Sequence, residues 1–156
     1  MSGLIDKGRL EVKLGDYAVA SGAALADPLL LPKVQGYRRQ AGARMIALDR
    51  EQARRKIPTG EFHVSRKVDG EFNVLVWQDG EILLVNPGGT VRVGLPVLVE
   101  AAGALAAAGV KQALVPCELW VQREDGTRPR VHDVSRVARK PEGASDLQSL
   151  RLAVFD

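Results

Sequence analysis

The feature that most constrains the fold is a pair of hydrophobic segments separated by Asp79-Gly80. Residues 72–78 and 81–86 have the length of ordinary strands. A two-residue type I′ turn requires positive φ at both of its central residues, and Asp-Gly is a dipeptide that is common at these two positions. The sequence therefore predicts two antiparallel strands joined by a tight turn. Since an isolated hairpin is barely stable in water, the rest of the chain must pack against it.

The remaining hydrophobic patterns predict an α+β domain built on an antiparallel sheet with flanking helices. Further strands are expected at residues 10–19, 45–48, 62–67, 112–122 and 150–155. Helices are expected at 50–56 with Asp49 as its cap, at 95–108 before Gly109, and at 132–139. We interpret the 156 residues as a single domain.

Composition excludes several classes of protein. With 46% hydrophobic and 26% charged residues, the chain has the balance of a folding domain. Its one cysteine, Cys117, cannot form an intramolecular disulfide framework, so we expect a buried thiol and a cytoplasmic location. The Ala-rich run at 101–108 is too short to cross a bilayer, so no membrane partner is expected.

Positive charge is concentrated rather than evenly spread. The net charge is only +3, but one segment is rich in basic side chains: Arg38, Arg39, Arg44, Arg50, Arg54, Arg55 and Lys56. A second, smaller group contains Arg136, Arg139 and Lys140. Such runs form either ordinary solvated surfaces or contacts to nucleic-acid phosphates, and the sequence leaves both interpretations open.

The strongest signal for chemistry is Lys67-Val68-Asp69-Gly70, directly before the predicted hairpin. A deprotonated lysine amine is a nucleophile, a carboxylate can orient its surroundings, and glycine allows close backbone approach. A short string of this kind also arises by chance as a turn with an exposed lysine. The segments that lie C-terminal to it decide between these interpretations.

Two later segments complete a pattern. Glu118 lies on the predicted strand at 112–122, and the segment 150–156 is a hydrophobic strand that ends in Phe155-Asp156. Together with the Lys-x-Asp-Gly string, this order resembles the covalent nucleotidyltransferases, which comprise ATP-dependent DNA ligases, RNA ligases and mRNA capping enzymes. The resemblance covers residues 62–156.

The resemblance implies a covalent role for Lys67. In that superfamily the motif lysine attacks the α-phosphorus of the nucleotide and forms a lysyl-AMP phosphoramidate. Asp69 would orient the pocket, Gly70 would permit close approach, and Arg66 would be a further contact to the nucleotide. Each of these assignments is an expectation from the motif.

The later motifs imply the rest of the nucleotide site. Glu118 would lie beside the ribose and bind the catalytic metal, and Phe155 would stack on the adenine base. The expected cofactors are ATP and Mg²⁺. The implied fold is an ATP-grasp-like nucleotidyltransferase subdomain of a DNA ligase.

The chain departs from the ligase pattern at three places. Phe72 stands where ligases usually have an arginine that contacts ribose and DNA. Residues 86–92 replace a Ser-Arg-x-Gly motif, and there only Arg92 could supply the positive charge that binds nucleotide. The chain also ends before the family's later glutamate strand, Lys-x-Lys strand and OB-fold domain. We therefore expect the N-terminal portion of a ligase adenylation domain, inactive or severely impaired alone in self-adenylation.

The expected function is the sealing of 5′-phosphate/3′-hydroxyl nicks, as in DNA replication and repair. The expected partners are nicked double-stranded DNA, ATP and a C-terminal half of the ligase. An RNA ligase or an mRNA-capping-type enzyme is an alternative that the absent arginine at position 72 favours slightly. A non-catalytic α+β nucleotide-binding or interaction module, with Lys67 as a turn lysine, is the alternative outside the superfamily.

Overall fold

A computed structural model describes residues 3–155 of the chain. It contains one seven-stranded antiparallel sheet with the strand order β1-β2-β5-β4-β3-β6-β7. The strands are β1 Glu11–Leu14, β2 Tyr17–Ser21, β3 Glu71–Gln78, β4 Glu81–Val85, β5 Thr90–Val93, β6 Gln112–Val121 and β7 Leu150–Val154. The helices are α1 Leu30–Arg44, α2 Arg50–Lys56, α3 Pro96–Ala107, α4 Val131–Arg139 and α5 Ala144–Gln148. The predicted α+β class with an antiparallel sheet is confirmed.

The predicted hairpin forms the centre of this sheet. Asp79 and Gly80 both have positive φ, at 49° and 91°, as a type I′ turn requires. β3 pairs with β4 on one side and with β6 on the other, so that Val74 lies between Val85 and Pro116. β3 is therefore the strand whose end is best placed to bring distant segments together.

Helices cover both faces of the sheet, because side chains alternate between the faces along each strand. One face, here called the closed face, packs under α3, α4 and α5, and its buried strand residues include Leu75, Trp77, Leu84, Cys117 and Leu119. The other, here called the α1 face, carries Val74, Val76, Leu83, Val85 and Val91, on which Leu30 and Val34 of α1 pack. The sheet is thus the middle of three layers.

Several helices begin and end where the sequence predicts. Asp49 accepts a hydrogen bond from Gln52 N at 2.8 Å, and Gln52 Oε1 accepts one from Asp49 N, so α2 starts with a capping box. Gly109 follows α3 with a φ of 70°, the left-handed conformation that favours glycine. The predicted β6, α4 and β7 are also present.

Other sequence predictions were wrong. The expected strand at 10–19 is two strands, β1 and β2, because Gly15 adopts a φ of 56° and turns the chain between them. Residues 45–48 form no strand, and Met45 and Ile46 are exposed there. The strand β5 and the helices α1 and α5 were not predicted.

The strand expected at 62–67 is also absent, since residues 61–69 have no regular secondary structure. Phe62 and Val64, whose alternation suggested a half-buried strand, are 58% and 83% exposed. No strand partner supports this segment within the described residues 3–155. Lys67 therefore lies on an irregular segment that leads into β3, instead of at the end of a strand.

Cys117 is fully buried in the closed-face core, as predicted, and burial raises the pKa of its thiol to about 12. Across residues 3–155, none of the helices combines the length and the hydrophobicity that a membrane span would require.

Candidate functional site

The start of β3 lies directly against β6. The backbone N–H of Gly70 donates a hydrogen bond to Glu118 Oε1 at 3.2 Å, and 48 residues separate these two positions in the sequence. A Cβ atom placed on Gly70 would lie 2.2 Å from the carbonyl oxygen of Leu119. Only glycine fits this approach without a backbone shift. The glycine of the Lys-x-Asp-Gly string thus holds that string beside the strand that carries Glu118.

Lys67 is exposed on the segment that precedes this contact. It borders a small cavity of about 170 Å³, whose other lining residues are Arg66, Val68, Asp69, Trp120, Arg128 and Pro129. Trp120 lies two residues after Glu118 on β6, so both side chains point to the same side of the strand. The cavity connects the lysine segment, β6 and the loop before α4.

Three aromatic rings meet on the α1 face beside Glu118. Phe72, the residue paired with Glu118 across β3 and β6, lies at their centre. Tyr37 of α1 is stacked on it, with ring centroids 6.2 Å apart and an interplanar angle of 13°. Phe155, which follows β7, lies at 6.0 Å from the same ring. Phe155 is held there partly by its backbone N–H, which donates to Pro116 O at 3.2 Å.

A guanidinium group completes this cluster. The Cζ atom of Arg38, on α1, lies 5.8 Å from the centre of the Phe72 ring, within the distance of a cation–π interaction. Among residues 3–155 Arg38 has no ion-pair partner. The arginine therefore places a positive charge beside the aromatic cluster.

The pKa of Glu118 depends on several of these neighbours. Partial burial raises the pKa of its carboxyl above the ordinary value. The hydrogen bond from Gly70 N and the positive charges of Lys67 and Arg38 act in the opposite direction, and the negative charge of Asp69 raises the pKa further. Lys67, Arg38 and Asp69 are thus all close enough to Glu118 to influence its ionisation.

The electrostatic balance of the region favours an anionic ligand. Asp69 is partly neutralised by Arg130, whose Nη1 lies 3.9 Å from Asp69 Oδ2. Among residues 3–155, the cations around the site outnumber its two carboxylates, Asp69 and Glu118. They are Arg38, Arg66, Lys67, Arg128 and Arg130. A surface with this balance attracts phosphate groups.

Arg92 is the one predicted nucleotide-binding residue that lies away from Glu118. It pairs with Leu84 across β4 and β5, and Leu84 belongs to the closed-face core. Its guanidinium donates to Glu71 Oε1 at 2.6 Å and to Glu71 Oε2 at 3.0 Å. Arg92 therefore lies on the opposite face of the sheet from Glu118, bound to a carboxylate of its own.

The structure brings the other nominated residues to one region, namely Arg66, Lys67, Asp69, Gly70, Glu118 and Phe155. Sequence reasoning missed Tyr37, and it placed Arg38 only in the basic segment and not with the motifs, because both residues lie far from the motifs along the chain. Within residues 3–155 no group of three or more His, Cys, Asp or Glu side chains is arranged to hold a metal ion.

Comparison of the chain with protein-family models, with curated proteins and with solved structures found no significant match in any of the three.

Proposed function

We propose that the chain is the N-terminal part of the adenylation domain of an ATP-dependent DNA ligase, with an ATP-grasp-like nucleotidyltransferase fold, and that Lys67 is the residue that becomes adenylated. The observation that carries this proposal is the convergence of three distant segments. Gly70 of the lysine string bonds to Glu118 at 3.2 Å, and Phe155 lies 6.0 Å from Phe72, which neighbours Glu118. These are the segments whose order in the sequence resembles the ligase motifs.

The proposed reaction forms a phosphorus–nitrogen bond. The deprotonated amine of Lys67 attacks the α-phosphorus of ATP, and the bond from that phosphorus to the oxygen bridging to the β-phosphorus breaks. Pyrophosphate leaves, the amine loses its proton, and AMP remains on Lys67. AMP then passes to the 5′-phosphate at a nick, and the 3′-hydroxyl displaces it to seal the strand.

The surrounding side chains support binding of a nucleotide. Phe155 offers a ring on which a base can stack, and such stacking adds about 1 kcal/mol beyond burial. Arg66 and Arg128, which both line the cavity beside Lys67, place positive charge next to the position of the phosphates. Glu118 can accept a hydrogen bond from the ribose.

The carboxylates of the site fit Mg²⁺. Mg²⁺ in phosphoryl-transfer sites is commonly held by one or two carboxylates together with substrate phosphates. Asp69 directly precedes Gly70, whose N–H donates to Glu118, so the two carboxylates lie on neighbouring segments of the site. When bound, Mg²⁺ supplies positive charge that offsets the charge developing on the leaving pyrophosphate.

The basic surface of α1 and α2 supports a nucleic-acid partner. Its arginines and lysine are all exposed, namely Arg38, Arg39, Arg44, Arg50, Arg54, Arg55 and Lys56. Contacts of such side chains to phosphates are independent of sequence and weaken as salt is raised. Nicked double-stranded DNA is the partner that the proposed reaction requires.

The test is incubation with Mg²⁺ and ATP labelled at the α-phosphate, followed by denaturing electrophoresis. We expect acid-labile label on the wild-type protein when the downstream polypeptide is supplied, little or none on the chain alone, and none on Lys67→Ala in either case. Lys111→Ala is the matched control and should label like the wild type, because Lys111 is exposed at the opposite end of β3, beside the turn at Asp79. The reaction is run with the chain alone and with any polypeptide encoded directly downstream.

The same assay separates the alternatives. Label from GTP would favour a capping-type enzyme, and transfer of AMP to nicked RNA in preference to nicked DNA would favour an RNA ligase. Phe72 in place of arginine slightly favours these two alternatives. No covalent label in either arrangement, together with unchanged ligand binding by Lys67→Ala, would contradict the proposal. A non-catalytic binding module would then be the better description.

A further inference from the structure

The helix α1 lies outside the region that resembles the nucleotidyltransferases, yet it contributes two side chains to the aromatic cluster. Tyr37 stacks on Phe72 at 6.2 Å, and Arg38 lies over the same ring at 5.8 Å. α1 itself is anchored on the sheet by Leu30 and Val34. These two buried side chains fix the N-terminal part of α1 on the sheet, directly before Tyr37 and Arg38.

Arg38 has no carboxylate partner among residues 3–155, in contrast to two other arginines near the sheet. Arg92 is bound by Glu71, and Arg130 lies beside Asp69. A guanidinium that packs over an aromatic ring keeps the N–H groups on its edge free, and these form a planar fork that matches two oxygens of a phosphate. The Phe72 ring thus orients Arg38 without neutralising it.

The position of Arg38 relative to the site is given by Glu118. Arg38 lies over the ring of Phe72, which is paired with Glu118 across β3 and β6, and Lys67 lies three residues before Gly70. Glu118 in turn accepts the Gly70 hydrogen bond at the end of the Lys-x-Asp-Gly string. An anion bound between these cations would be close to Lys67.

We propose that α1 forms one wall of the nucleotide site and that Arg38 binds a phosphate group of the nucleotide. This inference rests on the proposed function. The phosphate is carried either by free ATP or by the nucleotide at the 5′ end of a nicked strand, since both present the same oxygens. Arg38 thereby supplies, from a helix, a positive charge that Phe72 cannot supply from β3.

The experiment measures binding of ATP, adenosine and nicked duplexes by NMR titration, with the backbone amide of Gly70 as reporter. For Arg38→Gln we expect ATP affinity to fall about tenfold, the typical effect of losing a charged hydrogen bond to phosphate. Adenosine affinity should change less than about twofold. Lys33→Gln is the matched control, because it removes one exposed positive charge from the same helix; it should leave both affinities unchanged.

Two further arms identify the source of the phosphate and the role of the guanidinium. If the 5′ end of a strand is the source, Arg38→Gln should weaken a 5′-phosphorylated nicked duplex and leave a 5′-hydroxyl duplex unchanged. Arg38→Lys should restore only part of the affinity, since lysine keeps the charge and lacks the fork. Thermal unfolding of each variant confirms that the fold is retained.

The outcomes separate the two proposals. One outcome overturns only the role of Arg38: the wild type binds ATP and the phosphorylated duplex, and Arg38→Gln binds both with the same affinity. Equal losses for adenosine and ATP also overturn it, because Arg38 would then act only by packing on Phe72. Failure of the wild type to bind ATP or nicked duplex at all would remove the proposed function, and this inference with it.

Discussion

The two faces of the sheet hold their arginines in opposite ways. On the closed face the side chain of Arg92 is 7% exposed, and both of its terminal nitrogens donate to Glu71. Asn73 Oδ1 accepts a further bond from Arg92 at 3.3 Å. On the α1 face, Arg38 is exposed, lies over a ring, and has no ion-pair partner among the described residues 3–155. The first arginine joins strands, whereas the second remains available to a ligand.

Adjacent residues of β3 create this difference. Glu71 and Phe72 are consecutive, and the alternation of a strand sends one to the closed face and the other to the α1 face. The carboxylate therefore pairs with Arg92 inside the structure, while the ring receives Arg38 at the surface. The type of residue alone does not identify a binding arginine. What identifies it is whether the fold already supplies its counter-ion.

Replacing Glu71 should give the largest effect on stability. Glu71→Gln removes the negative charge that compensates Arg92, and breaking one partner of a buried pair typically destabilises by about 3–5 kcal/mol. Because Glu71 is 22% exposed, we expect about 3 kcal/mol, measured by urea unfolding. Glu100→Gln on the exposed surface of α3 is the control and should change stability by less than about 0.5 kcal/mol.

A double variant sharpens this prediction. Arg92→Met combined with Glu71→Gln removes both charges, so it should be more stable than Glu71→Gln alone. A double variant whose loss equals the sum of the two single losses would contradict an ion pair between Glu71 and Arg92. ATP binding by any variant that still folds should be unaffected, because Arg92 lies away from Glu118.

Gly70→Ala should have the next largest effect, at the point where the Lys-x-Asp-Gly string meets β6. The added methyl group would meet Leu119 O at 2.2 Å, so the backbone must move and the bond to Glu118 must weaken. Overpacking of this kind destabilises by about 1–3 kcal/mol, and adenylation of Lys67 should be lost with it. Urea unfolding and the labelling assay give the two readouts.

The matched control is Gly103→Ala in α3, where an added Cβ atom meets nothing within 4 Å. Alanine in a helix interior is more favourable than glycine by about 0.5–1 kcal/mol, so this variant should be stabilised. If Gly70→Ala behaved like Gly103→Ala, the close contact between the motif and β6 would not exist in solution.

The regions that could be predicted from sequence are those with strong local signals. Asp79-Gly80 specifies its turn by its own backbone preferences, and the Asp49/Gln52 capping box specifies the start of α2. Order along the chain was enough to nominate Lys67, Gly70 and Glu118, which the fold brings into one region. These signals are local or depend only on the order of the motifs.

The rest of the fold depends on tertiary packing. α1 contains Gly36 and Gly42, which are unfavourable in the interior of a helix, and only Leu30 and Val34 are buried along its 15 residues. β5 is four residues long and is stabilised by pairing with β2 and β4. Neither segment carries a periodic pattern strong enough to predict it.

In the segment 61–69 the sequence pattern predicted a strand, but no regular secondary structure forms there. Phe62 and Val64 alternate with polar residues as in a strand, but strand formation needs a partner and a surface to cover. The contacts of Tyr37 and Arg38 with Phe72 likewise follow from the arrangement of α1 against the sheet. No local signal could have connected these residues with the motifs.

The smallest predicted effect is a pH dependence of the free energy of unfolding, which Glu118 on the α1 face causes. Because burial raises its pKa in the folded state, the folded protein binds a proton more readily than the unfolded chain does. The contribution of Glu118 to stability is therefore fully present below the ordinary carboxyl pKa, and it is lost as pH rises through the raised value. Glu118→Gln should abolish this decrease, which urea unfolding across that pH range can measure.

NMR titration of the Glu118 carboxyl tests the neighbours directly. Removing positive charge with Lys67→Ala should raise the pKa of Glu118 further, and Arg38→Gln should act in the same direction, since both cations favour the ionised form. Lys111→Ala should leave it unchanged, because Lys111 lies beside the turn at Asp79, at the opposite end of β3 from Glu118. A pKa of Glu118 insensitive to both Lys67 and Arg38 would mean that neither cation lies near it. Arg38 would then be only a surface arginine packed on Phe72, with no anion site beside Lys67. It would no longer differ from Arg92 as an arginine that binds a ligand.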